Sequence, residues 1–209
     1  MPPNANEDLY AKLRQECHHY SYDCSAMRFI FESRATKLRN KVTWLKALGI
    51  IVPALVGSTA LGYPLDSVFL KNLILFAIPV TIFQFVLSVW ATIAKWEEGL
   101  AYSYEAVQSY STLFTKFHDL ANYPPSQFSS LKKQFDGIVT ESSLRSQQDA
   151  SHNVKEWEKR MGMRFSLRLH QCKCVGCEVK PLSLDSTNCD ICGKFSLKYQ
   201  YKLFTILNL

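Results

Sequence analysis

Two long stretches of this 209-residue chain carry no charge at all. Nineteen residues separate Lys46 from Asp66, and twenty-three separate Lys71 from Lys95. Helices buried in a soluble protein usually carry a charge every turn or two, so this absence speaks against two soluble core helices. Each stretch can cross a hydrocarbon layer of ~30 Å at ~1.5 Å per helical residue. Proline and glycine are missing from residues 7–46, so nothing interrupts a helix there. The polar first forty or so residues lack a signal-peptide core, and no cleaved leader is expected. There is no phosphate-binding glycine loop, nucleophile elbow or metalloprotease helix, so the chain is read as a non-enzyme. Internal repeats and low-complexity tracts are also missing.

The expected fold is mainly α, a two-helix transmembrane hairpin with long amphipathic cytoplasmic helices on either side and a small C-terminal β zinc ribbon. The expected divisions are a long cytoplasmic helix at 1–46, transmembrane helices at 47–65 and 72–94, a cytoplasmic helical region at 95–163 and the ribbon at 164–209. Apolar residues from Leu9 to Leu45 recur every three or four positions, with Cys17 and Cys24 on the same stripe. That spacing assigns both cysteines to packing, and the neighbouring His18 and His19 point away from their stripe. A second stripe runs from Leu100 to Ala121 and stops at Pro124 and Pro125. Phe128, Leu131, Phe135 and Ile138 suggest a shorter helix, and the polar TESSLRSQQDASHN after it reads as a loop or a solvated helix face.

Orientation follows from the basic residues. Arg28, Arg34, Lys37, Arg39, Lys41 and Lys46 precede the first apolar stretch and Lys95 follows the second, whereas the connection offers Lys71 against Asp66. The positive-inside rule then places both termini in the cytoplasm. In that reducing compartment seven cysteines are thiols or metal ligands rather than disulfides.

Within the second stretch, Thr81, Gln84, Ser88 and Thr92 line one side of a helix. Such a line packs against other helices or faces an aqueous path, unless the hydroxyls bond back to their own helix and only Gln84 needs a partner. Ala54, Ser58 and Gly62 form a small-residue seam on the first stretch. Two helices cannot enclose a channel, so a pore requires a homo-oligomer within the lipid bilayer.

Cys174 and Cys177 form one Cys-x-x-Cys pair, and Cys189 and Cys192 form another eleven residues later. A two-residue gap lets both sulfurs of a tight turn reach one ion, and two such turns complete a thiolate tetrahedron around Zn²⁺. Iron in a similar site ranks second and thiol redox chemistry third. Cys172 and His170 are left as spare. Phe165, Leu167 and Leu169 alternate with polar residues, as do Phe195, Leu197, Tyr199, Tyr201 and Leu203, so two strands are predicted around the cysteines. Arg164, Arg168, Lys198 and Lys202 would lie on their exposed side as a binding face for nucleotide phosphates, nucleic acid or anionic headgroups, or simply as a solvated surface. Residues 155–209 carry ten Lys or Arg against five Asp or Glu, most of the net charge of +6.

The run CHHYSYDCSAMRFIFESRATKLRNKVTWLKALGI, the two apolar stretches and KWEEGLAYSYEAVQSYSTLFTKFHDL resemble the SLATT family over about residues 6–160. Cys174, Cys177, Cys189 and Cys192 also look like a group of mobile-element proteins described by the C-x-x-C, eleven residues, C-x-x-C pattern. The SLATT resemblance implies a two-transmembrane effector of bacterial conflict systems that perforates the inner membrane, linked to a nucleotide second messenger or its synthase. The expected function is therefore a pore-forming antiphage effector. The alternative is a membrane-anchored zinc-ribbon adaptor that recruits a protein or nucleic acid.

Overall fold

The computed structural model describes the backbone of residues 5–62 and 68–195, with side chains from residue 7 onward except those of Ala60 and Leu70. Five helices follow one another: α1 (Ala5–Gly62), α2 (Val68–Ile93), α3 (Trp96–Asn122), α4 (Phe128–Ala150) and α5 (Glu156–Leu169). The described residues include no strand. The connection at Asp66 and the second expected strand after Phe195, with Lys198 and Lys202, lie outside the described residues.

α1 is one helix of 58 residues, as the lack of internal breakers up to residue 46 suggests, and it accommodates Pro53. It supplies both compact units of the chain. One comprises Ser33–Tyr104, and the other the described parts of Met1–Glu32 and Glu105–Leu209.

In the larger unit, the α1 stripe buries Cys17, Cys24, Ile30 and Phe31. Tyr110, Leu113 and Phe117 from α3 and Leu131 and Phe135 from α4 are buried with them. Tyr20 stacks on Phe117 at 5.0 Å between ring centroids and meets Phe135 edge-on at 5.6 Å. Each such side chain contributes ~1.5–3 kcal/mol when taken out of water. Burial pushes the Cys17 thiol up to about 11 and that of Cys24 to about 12, consistent with their packing role. Arg14 Nε donates to Ala121 O at 3.0 Å and the Tyr10 hydroxyl to Pro125 O at 2.8 Å, tying the start of α1 to the end of α3.

α4 continues through most of the polar stretch to Ala150, where its buried residues are charged. Arg145 and Asp149, one turn apart, are both buried. Arg145 donates to Asp149 at 2.9 Å and to Glu105 at 2.8 Å, while the Tyr110 hydroxyl bonds the other Asp149 oxygen.

The strand predicted from Arg164 to His170 is instead the second half of α5 and its C-cap. α5 is packed on more than one side, so burial extends over apolar and polar residues and the short alternation carries no strand preference. Its start is capped by the Lys155 N–H donating to Glu158 at 2.9 Å. Gly162 lies against α1 so closely that a Cβ would stand 2.7 Å from Ala26 O, and one turn later Ser166 donates to Tyr22 O at 2.8 Å.

In the Ser33–Tyr104 unit, Gln84 meets the neighbouring helix at Gly49. A Cβ on Gly49 would stand 3.0 Å from Gln84 Nε2, so the glycine makes room for the amide. Thr81 and Thr92 donate to Ala77 O and Ser88 O, one turn back on their own helix, at 2.8 and 3.0 Å. Both α1 and α2 contain stretches long and apolar enough to cross a membrane, of which only 6% and 0% are buried. Ile50, Leu75 and Phe76 are each 71% exposed, the reverse of a soluble core helix.

Candidate metal centre

After α5 the chain makes two tight cysteine turns. In the first, the Cys174 N–H donates to Val179 O at 3.1 Å and the Glu178 N–H to Cys174 O at 2.8 Å, with Glu178 at φ 57°. In the second, the Lys194 N–H donates to Thr187 O at 2.6 Å, and Gly193 is required because any Cβ there would strike the Thr187 carbonyl. The turns interlock: Ile191 covers Gly176, where a Cβ would stand 2.7 Å from Ile191 Cδ1.

Interlocking brings the four sulfurs together. Cys174 Sγ lies 3.9 Å from Cys189 Sγ, Cys177 Sγ lies 3.8 Å from Cys192 Sγ, and all four ligand atoms fall within 4.8 Å of one another. Thiolates arranged tetrahedrally at ~2.3 Å from an ion stand ~3.8 Å apart, so the spacing fits a four-thiolate metal ion. The Ile191 N–H points at Cys189 Sγ from 3.4 Å. Hydrogen bonds from the Cys192 and Ile191 backbone hold the Cys189 thiol down to about 7, whereas burial pushes Cys192 up. A bound divalent cation would favour the thiolate at both.

The support beneath the sulfurs comes from α5 and α1. Leu167 is buried against Cys174 and Cys192. Phe29 of α1 stacks on Phe165 at 3.9 Å and shares a buried cluster with Met161, Phe195 and Leu184.

Arg164, expected on an exposed face, is buried instead. Its Nε donates to Ser183 O at 2.9 Å, and its Nη1 lies 3.5 Å from Cys192 O and 3.9 Å from Cys192 Sγ. The guanidinium therefore clamps the loop between the turns and would oppose the net charge of about −2 that four thiolates around a divalent ion carry. Arg164→Met is expected to lower metal affinity about 10–100-fold, as losses of supporting contacts around metal ligands do. Competition against a chromophoric chelator measures this directly. Arg168 is exposed in the last turn of α5.

His170 caps α5 outside the sulfur cluster and belongs to a chain of rings. Its ring is tilted against Tyr22 at 4.6 Å and lies 5.7 Å from Phe114, which stacks on His118. His170 Nε2 is buried with no hydrogen-bond partner among the described residues. Burial, then His118, Arg28 and His18, lower the His170 pKa. His18 is lowered by burial, then Arg14, His118 and His19. A histidine whose folded pKa is depressed leaves stability intact above its unfolded pKa of ~6.5 and removes it as the pH falls below that value. The thermal midpoint of the protein is therefore expected to drop between pH 6.5 and pH 5, and His170→Phe to flatten that slope. Spacing in sequence hides this group because its members come from α1, α3 and the end of α5.

Fold and site together define a helical protein that carries two long apolar helical stretches and a cluster of four cysteines able to hold a metal ion. The chain belongs to the family described as Mobilome CxxCx(11)CxxC protein, which it matches over residues 14–195. The likeness thus runs from α1 to the last cysteine turn, well beyond the tail where the cysteine spacing first suggested it. No curated protein and no solved structure matches the chain.

Proposed function

We propose that the protein is a non-enzymatic inner-membrane effector of a bacterial conflict system. Its hairpins assemble in the bilayer to form or gate a pore, and a structural Zn²⁺ at Cys174, Cys177, Cys189 and Cys192 stiffens the cytoplasmic module that senses a nucleotide signal or a partner. The observation that carries this reading is the almost unburied apolar surface of α1 and α2, which calls for lipid and for further helices. The seam of Ala54, Ser58 and Gly62 is exposed and offers a close contact between copies. Both termini lie in the cytoplasm, following the basic residues before α1's apolar stretch and at Lys95. The SLATT resemblance supports the effector role, and the zinc assignment follows the tetrahedral sulfur spacing.

A second reading, a membrane-anchored adaptor whose cysteine module recruits a protein or nucleic acid, draws on the hydroxyls of Thr81 and Thr92. Bonded to their own helix, they need no water-filled path. Dye entry into cells expressing the protein separates the two. Leakage that disappears when Thr81, Gln84, Ser88 and Thr92 are changed to leucine, with oligomers intact, supports the effector. Absence of leakage under phage infection or any nucleotide trigger, with a partner still captured through the cysteine module, rejects it.

A further inference from the structure

Within the Ser33–Tyr104 unit, α2 gives way to α3 at Lys95, which adopts a left-handed φ of 53°. The corner opens a cavity of about 310 Å³ against α1. Its floor includes the buried Val42 and Ala91. Its rim carries two ammonium groups and two carboxylates, joined as Lys46–Glu97 at 2.8 Å and Lys95–Glu98 at 2.9 Å. Trp96 stands beside them with the Lys41 ammonium 5.1 Å above its ring, an aromatic and basic pairing suited to a membrane interface.

The rim pairs are 66–70% exposed. Exposed ion pairs are worth ~0–1 kcal/mol, so a ligand that supplies one group of each sign can exchange partners with them at little cost. A phosphodiester would take Lys46 and Lys95, and a primary ammonium Glu97 and Glu98, leaving the apolar floor for glycerol and the first acyl carbons. An anionic headgroup without an amine would strand both carboxylates. A choline headgroup has no N–H to donate to them.

We infer that this cavity binds the phosphoethanolamine headgroup of a bilayer lipid. The inference rests on the membrane reading of α1 and α2 and adds the lipid chemistry at their basic end.

The test uses the full chain purified in detergent, with native mass spectrometry in the presence of phosphatidylethanolamine, phosphatidylcholine or phosphatidylglycerol. Phosphatidylethanolamine is expected to be retained about tenfold better than the other two, the scale of one charge-assisted hydrogen bond. Glu97→Gln with Glu98→Gln should abolish that preference, and Lys46→Gln with Lys95→Gln should weaken retention of all three lipids. Equal retention of the three, a preference for phosphatidylglycerol, or insensitivity to both double variants overturns the assignment. Binding of free phosphoethanolamine as strong as that of the lipid also overturns it, because the ligand would then be a soluble phosphate. Helical circular dichroism establishes that the variants fold. A chain that leaves carbonate-washed membranes for the aqueous fraction defeats the membrane reading itself, whereas one that stays there without lipid preference defeats only the headgroup site.

Discussion

Cys192→Ser is expected to reduce bound metal from about one ion per chain to near none and to unfold both cysteine turns. Cys192 is buried between Leu167 and the other sulfurs, so serine would place a hydroxyl where a charged, metal-bound thiolate belongs. In small zinc modules metal binding supplies ~10–16 kcal/mol near neutral pH, and much of that is folding free energy. The turns have few other means of holding together. Beyond the sulfurs they have contacts such as the Cys174–Val179, Glu178–Cys174 and Lys194–Thr187 backbone bonds, the Phe195 N–H bond to Ser186, the Gly176–Ile191 contact and the Arg164 clamp. Elemental analysis counts the metal, and proteolysis across residues 173–194 reports the loss of structure. Because the ligands bind as thiolates, acidification should release the ion and chelation should reproduce the effect in the unaltered chain. A variant that keeps its metal and its protease resistance would show that Cys192 is not a ligand, and an unaltered chain without metal would show that the four sulfurs gather without holding an ion.

Asp149→Ala is expected to destabilise the larger unit by about 3–5 kcal/mol, because it leaves the buried Arg145 without its buried counter-ion. Among its other partners, Glu105 is 64% exposed and Gln148 is neutral, so neither replaces a carboxylate enclosed with the guanidinium. The same change strands the Tyr110 hydroxyl, whose pKa is raised first by burial and then by its bond to Asp149. Tyr110→Phe removes a donor and a bond without exposing a charge, so its cost should be nearer ~1 kcal/mol. Replacing Arg145 and Asp149 together with methionine and leucine should cost less than Asp149→Ala alone, since an apolar pair leaves no buried charge. Urea unfolding of the three variants measures the order. If the single and double replacements are equally mild, the network is not the anchor between α3 and α4 that its geometry indicates.

Much of the architecture was visible along the chain. The unbroken apolar stripe of α1, the end of α3 before Pro124 and the two charge-free stretches are local properties, and local periodicity is a reliable guide when only one face of a helix is buried. The polar C-terminal half of α4 was open between a loop and a solvated helix face; it is helix with Arg145 and Asp149 buried, and an arginine and an aspartate four residues apart look the same in sequence whether solvated or enclosed. The strand expected from Phe165 to Leu169 failed for a related reason. α5 is contacted from more than one side, so its burial pattern has no single period.

The candidate metal ligands were legible because chemistry favours their spacing: two sulfurs with two residues between them sit on one tight turn and can share an ion. Helix type, apolar length and the identity of those four cysteines are thus set by short-range geometry and solvation, which act on neighbours in the chain. Tertiary contacts alone turned Arg164 toward Cys192, enclosed Asp149 with Arg145 and Tyr110, and aligned His170 with Tyr22, Phe114 and His118. Burial of a polar group depends on which distant segments surround it, and no periodicity along one segment encodes that.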